Sequence, residues 1–210
     1  MIKVAVVAGG DLDLVMTGFD VFVGVDAGSL FLLKHNLPLD MAVGDFDSVS
    51  AEELQWIKAE AKSLTQAPAE KDDTDLELAL KTVFEQYPEA QVSVLGAFGG
   101  RLDHMMSNLF LASEPSLASF MQQIKLQDSL NLVRFFPQGR HLIEPVEGMT
   151  YVSFMPSDGS RLTIEGAKYP LNTSNYFFKK CYSSNEFIDE DLVIELDSGY
   201  VVVIYSKDRS

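Results

Sequence analysis

Val21-Phe-Val-Gly-Val-Asp-Ala-Gly28 is a short, Val-rich run that stops on an aspartate and a small-residue turn. Its apolar positions are continuous rather than alternating, the pattern of a strand buried on both faces of a sheet. Residues 2–8 repeat the pattern and end on Gly9-Gly10; residues 41–43 run into Gly44-Asp45, and residues 91–95 into Gly96. Helical segments lie between these runs. Residues 29–35 are helical in character, and Ser50 stands as N-cap with Glu53 at the capping-box position. Residues 74–87 carry Leu76, Leu80, Val83 and Phe84 at helical spacing, and Pro88 closes them. A further helix is expected from about Asp103 to Leu111 or beyond. Strands alternating with helices specify an α/β fold, an open and mostly parallel sheet with flanking helices.

From about Leu130 the texture changes. Residues 131–136, 150–155, 161–164, 192–196 and 200–205 are β-rich runs at close spacing. Pro137-Gln-Gly139, Ser157-Asp-Gly159 and Asp197-Ser-Gly199 read as the turns between them. The expected organisation is an α/β domain over residues 1–129 and an antiparallel β-sandwich over residues 130–210.

The 210 residues are enough for a sizeable core, and 47% hydrophobic with 22% charged residues is ordinary globular composition. A formal charge of −15 argues against non-specific binding to nucleic acid or an anionic membrane. No apolar run approaches a membrane span, and the apolar start at Met1 is too short for a signal peptide. Cys181 is the single cysteine, so no intrachain disulfide can form; it reads as a small hydrophobe in a cytoplasmic protein.

Four acidic motifs concentrate the chemistry: Asp26-Ala-Gly28, Gly44-Asp45-Phe-Asp47-Ser48, Lys71-Asp-Asp-Thr-Asp75 and Gly99-Gly-Arg101-Leu-Asp103-His104. Gathered carboxylates repel unless something cancels their charge, and a hard cation such as Mg²⁺ does so while bridging to phosphates. Three of the motifs follow strands, where open α/β sheets bind their ligands, and the Lys71–Asp75 motif opens a helix. Asp45 and Asp47 would share one side of an extended segment, suiting joint ligation; an Asx-turn is the equally weighted alternative. Lys71 offers a cation to a phosphate, and Gly99-Gly100 with Arg101 can meet phosphate oxygens through backbone N–H groups and a guanidinium fork. Asp103 is a candidate metal ligand, His104 a polar contact, and Asn108 lies one helical turn beyond His104. No Gly-x-x-x-x-Gly-Lys-[Ser/Thr] loop occurs, so phosphates would be met without the usual P-loop.

In order and spacing, these motifs resemble the bacterial type of thiamine pyrophosphokinase. The resemblance continues through Gly166-Ala-Lys-Tyr-Pro-Leu171 and Ser183-Ser-Asn-Glu186 and covers nearly the whole chain. It implies a homodimer that transfers the β,γ-diphosphate of ATP to the thiamine hydroxyl with Mg²⁺, releasing AMP. It also implies an acidic, metal-binding centre of Asp45, Asp47, Asp75 and Asp103. Asp26, Gly28, Lys71, Arg101, His104 and Asn108 would then lie about the ATP phosphates. Asp47 or Asp75 would accept the hydroxyl proton, and Arg101 and Asp103 would complete the catalytic set. Tyr169, Ser184 and Asn185 would hold thiamine bound at the other subunit's catalytic domain. Tyr169 stands where many relatives carry Trp, and Gly166-Ala-Lys replaces a commoner Gly-Leu-Lys. Three alternatives stay open on the residues: a pyrophosphokinase for a pterin alcohol, a phosphatase with Asp45 as nucleophile, and a non-catalytic ATP- and metal-binding sensor.

Overall fold

The computed structural model describes residues 1–13, 17–67, 72–157, 159–188 and 191–209. They form two compact units, Met1–Ser129 and Leu130–Ser210.

The first unit alternates as the apolar runs require. In chain order it comprises β1 (Lys3–Val7), β2 (Val21–Val25), α1 (Ala27–Lys34), β3 (Met41–Gly44), α2 (Ala51–Glu60) and β4 (Ser63–Gln66). Then follow α3 (Asp75–Gln86), β5 (Gln91–Leu95), α4 (Leu102–Phe110), two 3₁₀ turns and β6 (Ile124–Gln127). The six strands pair in the order β6-β5-β1-β2-β3-β4, every pair parallel. Val4, Val6, Val23, Val92 and Val94 are fully buried, as strands covered on both faces demand. Capping boxes start α2 (Ser50 with Glu53) and α3 (Thr74 with Glu77). Each satisfies two N–H groups that the helix leaves without partners.

The second unit is antiparallel: β7 (Asn131–Ile143), β8 (Tyr151–Pro156), β9 (Leu162–Glu165), β10 (Tyr182–Asn185) and β11 (Leu192–Ser206). The long β7 and β11 pair along their whole length; β8 adds to the second half of β11 and β9 to its first half. One hydrophobic core joins both halves, from Leu162, Ile164 and Ile194 to Val152, Phe154 and Val203. The sheet thus closes over its own core, as in a sandwich.

Two expected turns are not turns. Pro137-Gln-Gly139 lies inside β7, and Asp197-Ser-Gly199 lies inside β11. The two segments face one another: Gly139 pairs with Leu196 and Pro137 with Tyr200, and the register shifts between those pairs. Three residues on β11 therefore oppose one on β7, a bulge that bends both strands together. The turn-type composition marks that bend.

Candidate active site

The site grows from the carboxyl ends of the parallel strands. Register pairs Val25 of β2 with Val43 of β3, which brings the residues that follow, Asp26 and Gly44-Asp45, side by side. Asp26 sits at φ 46°, a region that residues with a side chain rarely occupy. Its N–H donates to the Val43 carbonyl at 3.0 Å, and its Oδ1 accepts the Phe46 N–H at 3.1 Å. Gly44 is required beside it, because a Cβ there would stand 1.9 Å from Asp26 Oδ1. Phe46 has φ 60° and a buried ring, so Asp45-Phe-Asp47 is not extended. The Asp47 N–H folds back onto Asp45 Oδ1 at 3.0 Å, the Asx geometry, and the two carboxylates do not share a strand face.

The third carboxylate arrives from α3. Asp75 is the first residue of that helix, placed by the Thr74–Glu77 capping box. Asp73 is drawn away from it by Lys81, whose Nζ donates to both Asp73 oxygens at 2.7 and 2.8 Å. Asp26, Asp45 and Asp75 come together, each half-buried and each offering an oxygen within 4.8 Å of the others. Burial first, and then the charges of Asp75 and Asp45, push the Asp26 carboxyl up from 3.8 to about 7. Three partly desolvated carboxylates at this range are relieved either by a proton or by a cation. All-oxygen donors half-closed from water fit a hard divalent ion.

These groups open into a cleft of about 640 Å³. Asp47, Ser48, Arg101, His104 and Asn108 also line it, as do Gly9 and Gly10 after β1. Gly10 is a close-approach glycine: its N–H donates to the Gly96 carbonyl at 2.9 Å, and a Cβ would lie 2.3 Å from the Phe98 carbonyl oxygen. The loops after β1 and β5 are thereby laced into one wall. Asn108 serves the same wall, its Nδ2 donating to the Ala97 carbonyl at 2.9 Å.

Two sequence-expected residues stand differently. Asp103 is exposed, outside the cleft lining, and paired with Arg101; that pairing holds its carboxyl down at about 2. Gly28 is also outside the lining and packs α1 onto β1, since a Cβ would meet the Val7 carbonyl oxygen at 1.9 Å. Lys71 lies outside the described residues. Gly9, Gly10, Ala97 and Ser107 line the cleft without having been singled out. Gly9-Gly10 had a usable signal, since it follows a strand as Asp26 does.

In the second unit, Tyr169 has its ring exposed, while Asn185 is buried with its amide on the Tyr169 backbone. Ser184 is turned to φ 59°, and its N–H donates to Ser153 Oγ. Burial pushes the Cys181 thiol up, which suits a packing residue and not a nucleophile.

The family model described as thiamin pyrophosphokinase, catalytic domain, matches residues 12–126, and the vitamin B1 binding domain of the same family matches residues 140–201. Thiamine pyrophosphokinase of Bacillus subtilis (strain 168) is 35% identical over 217 residues, covering 99% of this chain and all of the relative. The crystal structure of a thiamin pyrophosphokinase family protein from Enterococcus faecalis superposes with TM-score 0.90 at 38% identity, over 99% of this chain and 100% of that one. The Bacillus subtilis enzyme's crystal structure gives TM-score 0.80 at 32% identity, over 99% of this chain and 100% of that one. Two domain models of one family, met in the same order as the two units, and relatives matched from end to end leave one assignment: the chain belongs to the thiamine pyrophosphokinase family.

Proposed function

We propose that the chain is a thiamine diphosphokinase, moving the β,γ-diphosphate of ATP to the thiamine hydroxyl and releasing AMP. The observation that carries the chemistry is the Asp26–Asp45–Asp75 group at the strand ends of the unit matched by the catalytic-domain model. These three carboxylates would hold Mg²⁺. When bound, the ion supplies Lewis acidity and charge neutralisation at the polyphosphate. Phosphoryl transfer asks mainly for positioning and charge compensation, and the remaining residues provide those.

Arg101, on the cleft wall, forks onto phosphate oxygens, with His104 and Asn108 on the same wall as polar contacts. Lys71 adds a further cation to the phosphates. Asp47 accepts the hydroxyl proton: it lines the cleft yet stands outside the three-carboxylate group, so a bound cation leaves its basicity available. Tyr169 presents an aromatic face to the thiazolium cation. The pterin, phosphatase and sensor alternatives are not favoured, because models of both thiamin pyrophosphokinase domains match.

The working form is a homodimer in which Tyr169 of one subunit serves the catalytic unit of its partner, an arrangement that two-fold symmetry would make twice. The cytoplasm suits a chain whose one cysteine can form no intrachain disulfide, and among the described residues no helix is long and apolar enough to cross a membrane. Incubation with Mg²⁺, ATP and thiamine, followed by chromatography, tests the reaction. Thiamine diphosphate and AMP in equal amounts are expected, and inorganic phosphate with ADP would reject it.

A further inference from the structure

Asn185 is a buried polar side chain, 3% exposed, with its amide spent on the backbone of Tyr169 and Glu186. Oδ1 accepts the N–H of Tyr169 at 2.9 Å and that of Glu186 at 3.0 Å; Nδ2 donates to the Tyr169 carbonyl at 2.9 Å. Both backbone hydrogen-bonding groups of Tyr169 are thus met by one side chain, which stands in for the peptide of an adjoining strand. The clasp extends a ladder already present. The Lys168 N–H donates to the Glu186 carbonyl at 3.0 Å, and Ala167 bridges to Phe187. The ladder cannot continue by backbone, since Ser184 at φ 59° turns the chain and β10 shifts register between Tyr182 and Asn185.

The consequence falls on the Tyr169 ring. Its backbone is fixed, while 59% of the residue stays exposed. Lys168, whose Nζ lies 5.6 Å from the centre of that ring, is itself tied to Glu186 at 2.7 Å. A rigid, exposed aromatic binds a cation without first paying to order itself. Asn185, by contrast, has both acceptor positions and one donor occupied and almost no surface to offer a ligand.

We propose that Asn185 is a positioning residue for thiamine that acts through Tyr169. The proposal rests on the reading of Tyr169 as the aromatic that faces the thiazolium. A double-mutant cycle on the full chain separates the two ideas. Tyr169→Ala and Asn185→Ala should each raise the thiamine KM on the order of tenfold, with the ATP KM and kcat held within about twofold. The double variant should be no worse than Tyr169→Ala by more than about twofold. Multiplied effects in the double variant would overturn the positioning role and leave the aromatic reading standing. An unchanged thiamine KM in Tyr169→Ala would remove the aromatic reading and the proposal with it. Asn185→Leu, which fills space without polar atoms, guards against a folding failure: the Tyr169 amide should exchange with solvent about tenfold faster or more. Unaltered exchange in that variant would sink the clasp.

Discussion

Arg101 grips the carboxylate of Asp103 with two donors, Nε to Oδ1 at 3.1 Å and Nη2 to Oδ2 at 2.5 Å. Both residues are exposed at the start of α4, and Arg101 lines the cleft while Asp103 does not. The fork is held by an internal carboxylate, whose place a phosphate would have to take. A bidentate pairing of this kind needs a planar guanidinium. Arg101→Lys is expected to lower kcat/KM for ATP about tenfold or more, because an ammonium cannot replace the fork. ATP kinetics unchanged in that variant would reject the role.

The placement of Asp103 also separates it from the metal group. Asp75→Asn should abolish Mn²⁺ binding, read by electron paramagnetic resonance in place of Mg²⁺, with the fold retained. Asp103→Asn should leave Mn²⁺ binding in place and weaken turnover through Arg101. Equal loss of Mn²⁺ binding in both variants would restore Asp103 to the acidic centre.

Asp26 makes metal binding depend on pH in a defined direction. Its folded-state value is raised from 3.8 to about 7, chiefly by burial. The sign follows from the proton: the stability it contributes is fully present below the unfolded value and lost as pH rises through the folded one. The metal-free protein should thus lose stability between about pH 4 and pH 7 on account of this group. Below about pH 7 a cation must displace the proton, so binding should tighten as pH rises and should release close to one proton at pH 6, by linkage. Calorimetry in buffers of different ionisation heat measures that release. No release at pH 6 would contradict the assigned environment.

Gly44 and Gly28 should fail in different ways. At Gly44, φ 151° disfavours any side chain, and the added Cβ would strike the movable end of Asp26. Gly44→Ala should therefore cost metal binding more than folding. At Gly28 the added Cβ would strike the Val7 carbonyl, which has nowhere to go. Gly28→Ala should destabilise the fold by about 1–3 kcal/mol, as overpacking does, read by thermal melting.

Much of the first unit was legible because buried parallel strands are written as continuous apolar runs: residues 3–7, 21–25 and 91–95 announce themselves. The edge strand β4, Ser-Leu-Thr-Gln with no fully buried position, carries no such signature. The short β6 buries only Ile124 and Leu126, too little for a pattern. Within the site, Asp45 and Asp75 were singled out as metal ligands from the sequence, and Asp26 was expected about the ATP phosphates instead. Its approach to Asp45 depends on strand register across a separation of 19 residues, which no local pattern records. The Asp45-Phe-Asp47 spacing pointed to a shared face, but the left-handed Phe46 undoes it.

The bent pairing of β7 with β11 has a consequence for synthesis. Asn131 is paired with Ser206, and β11 also carries β8 and β9, so the second unit cannot assemble its sheet until β11 has left the ribosome. The first unit contains all its own strand pairs before Ser129. Domains fold as units during synthesis, N-terminal first, and distant pairings form slowly. A nascent chain halted before β11 should therefore carry a protease-resistant α/β unit trailed by a sensitive tail. Resistance spreading through both units at once, only on release, would show instead that they fold as a single cooperative body.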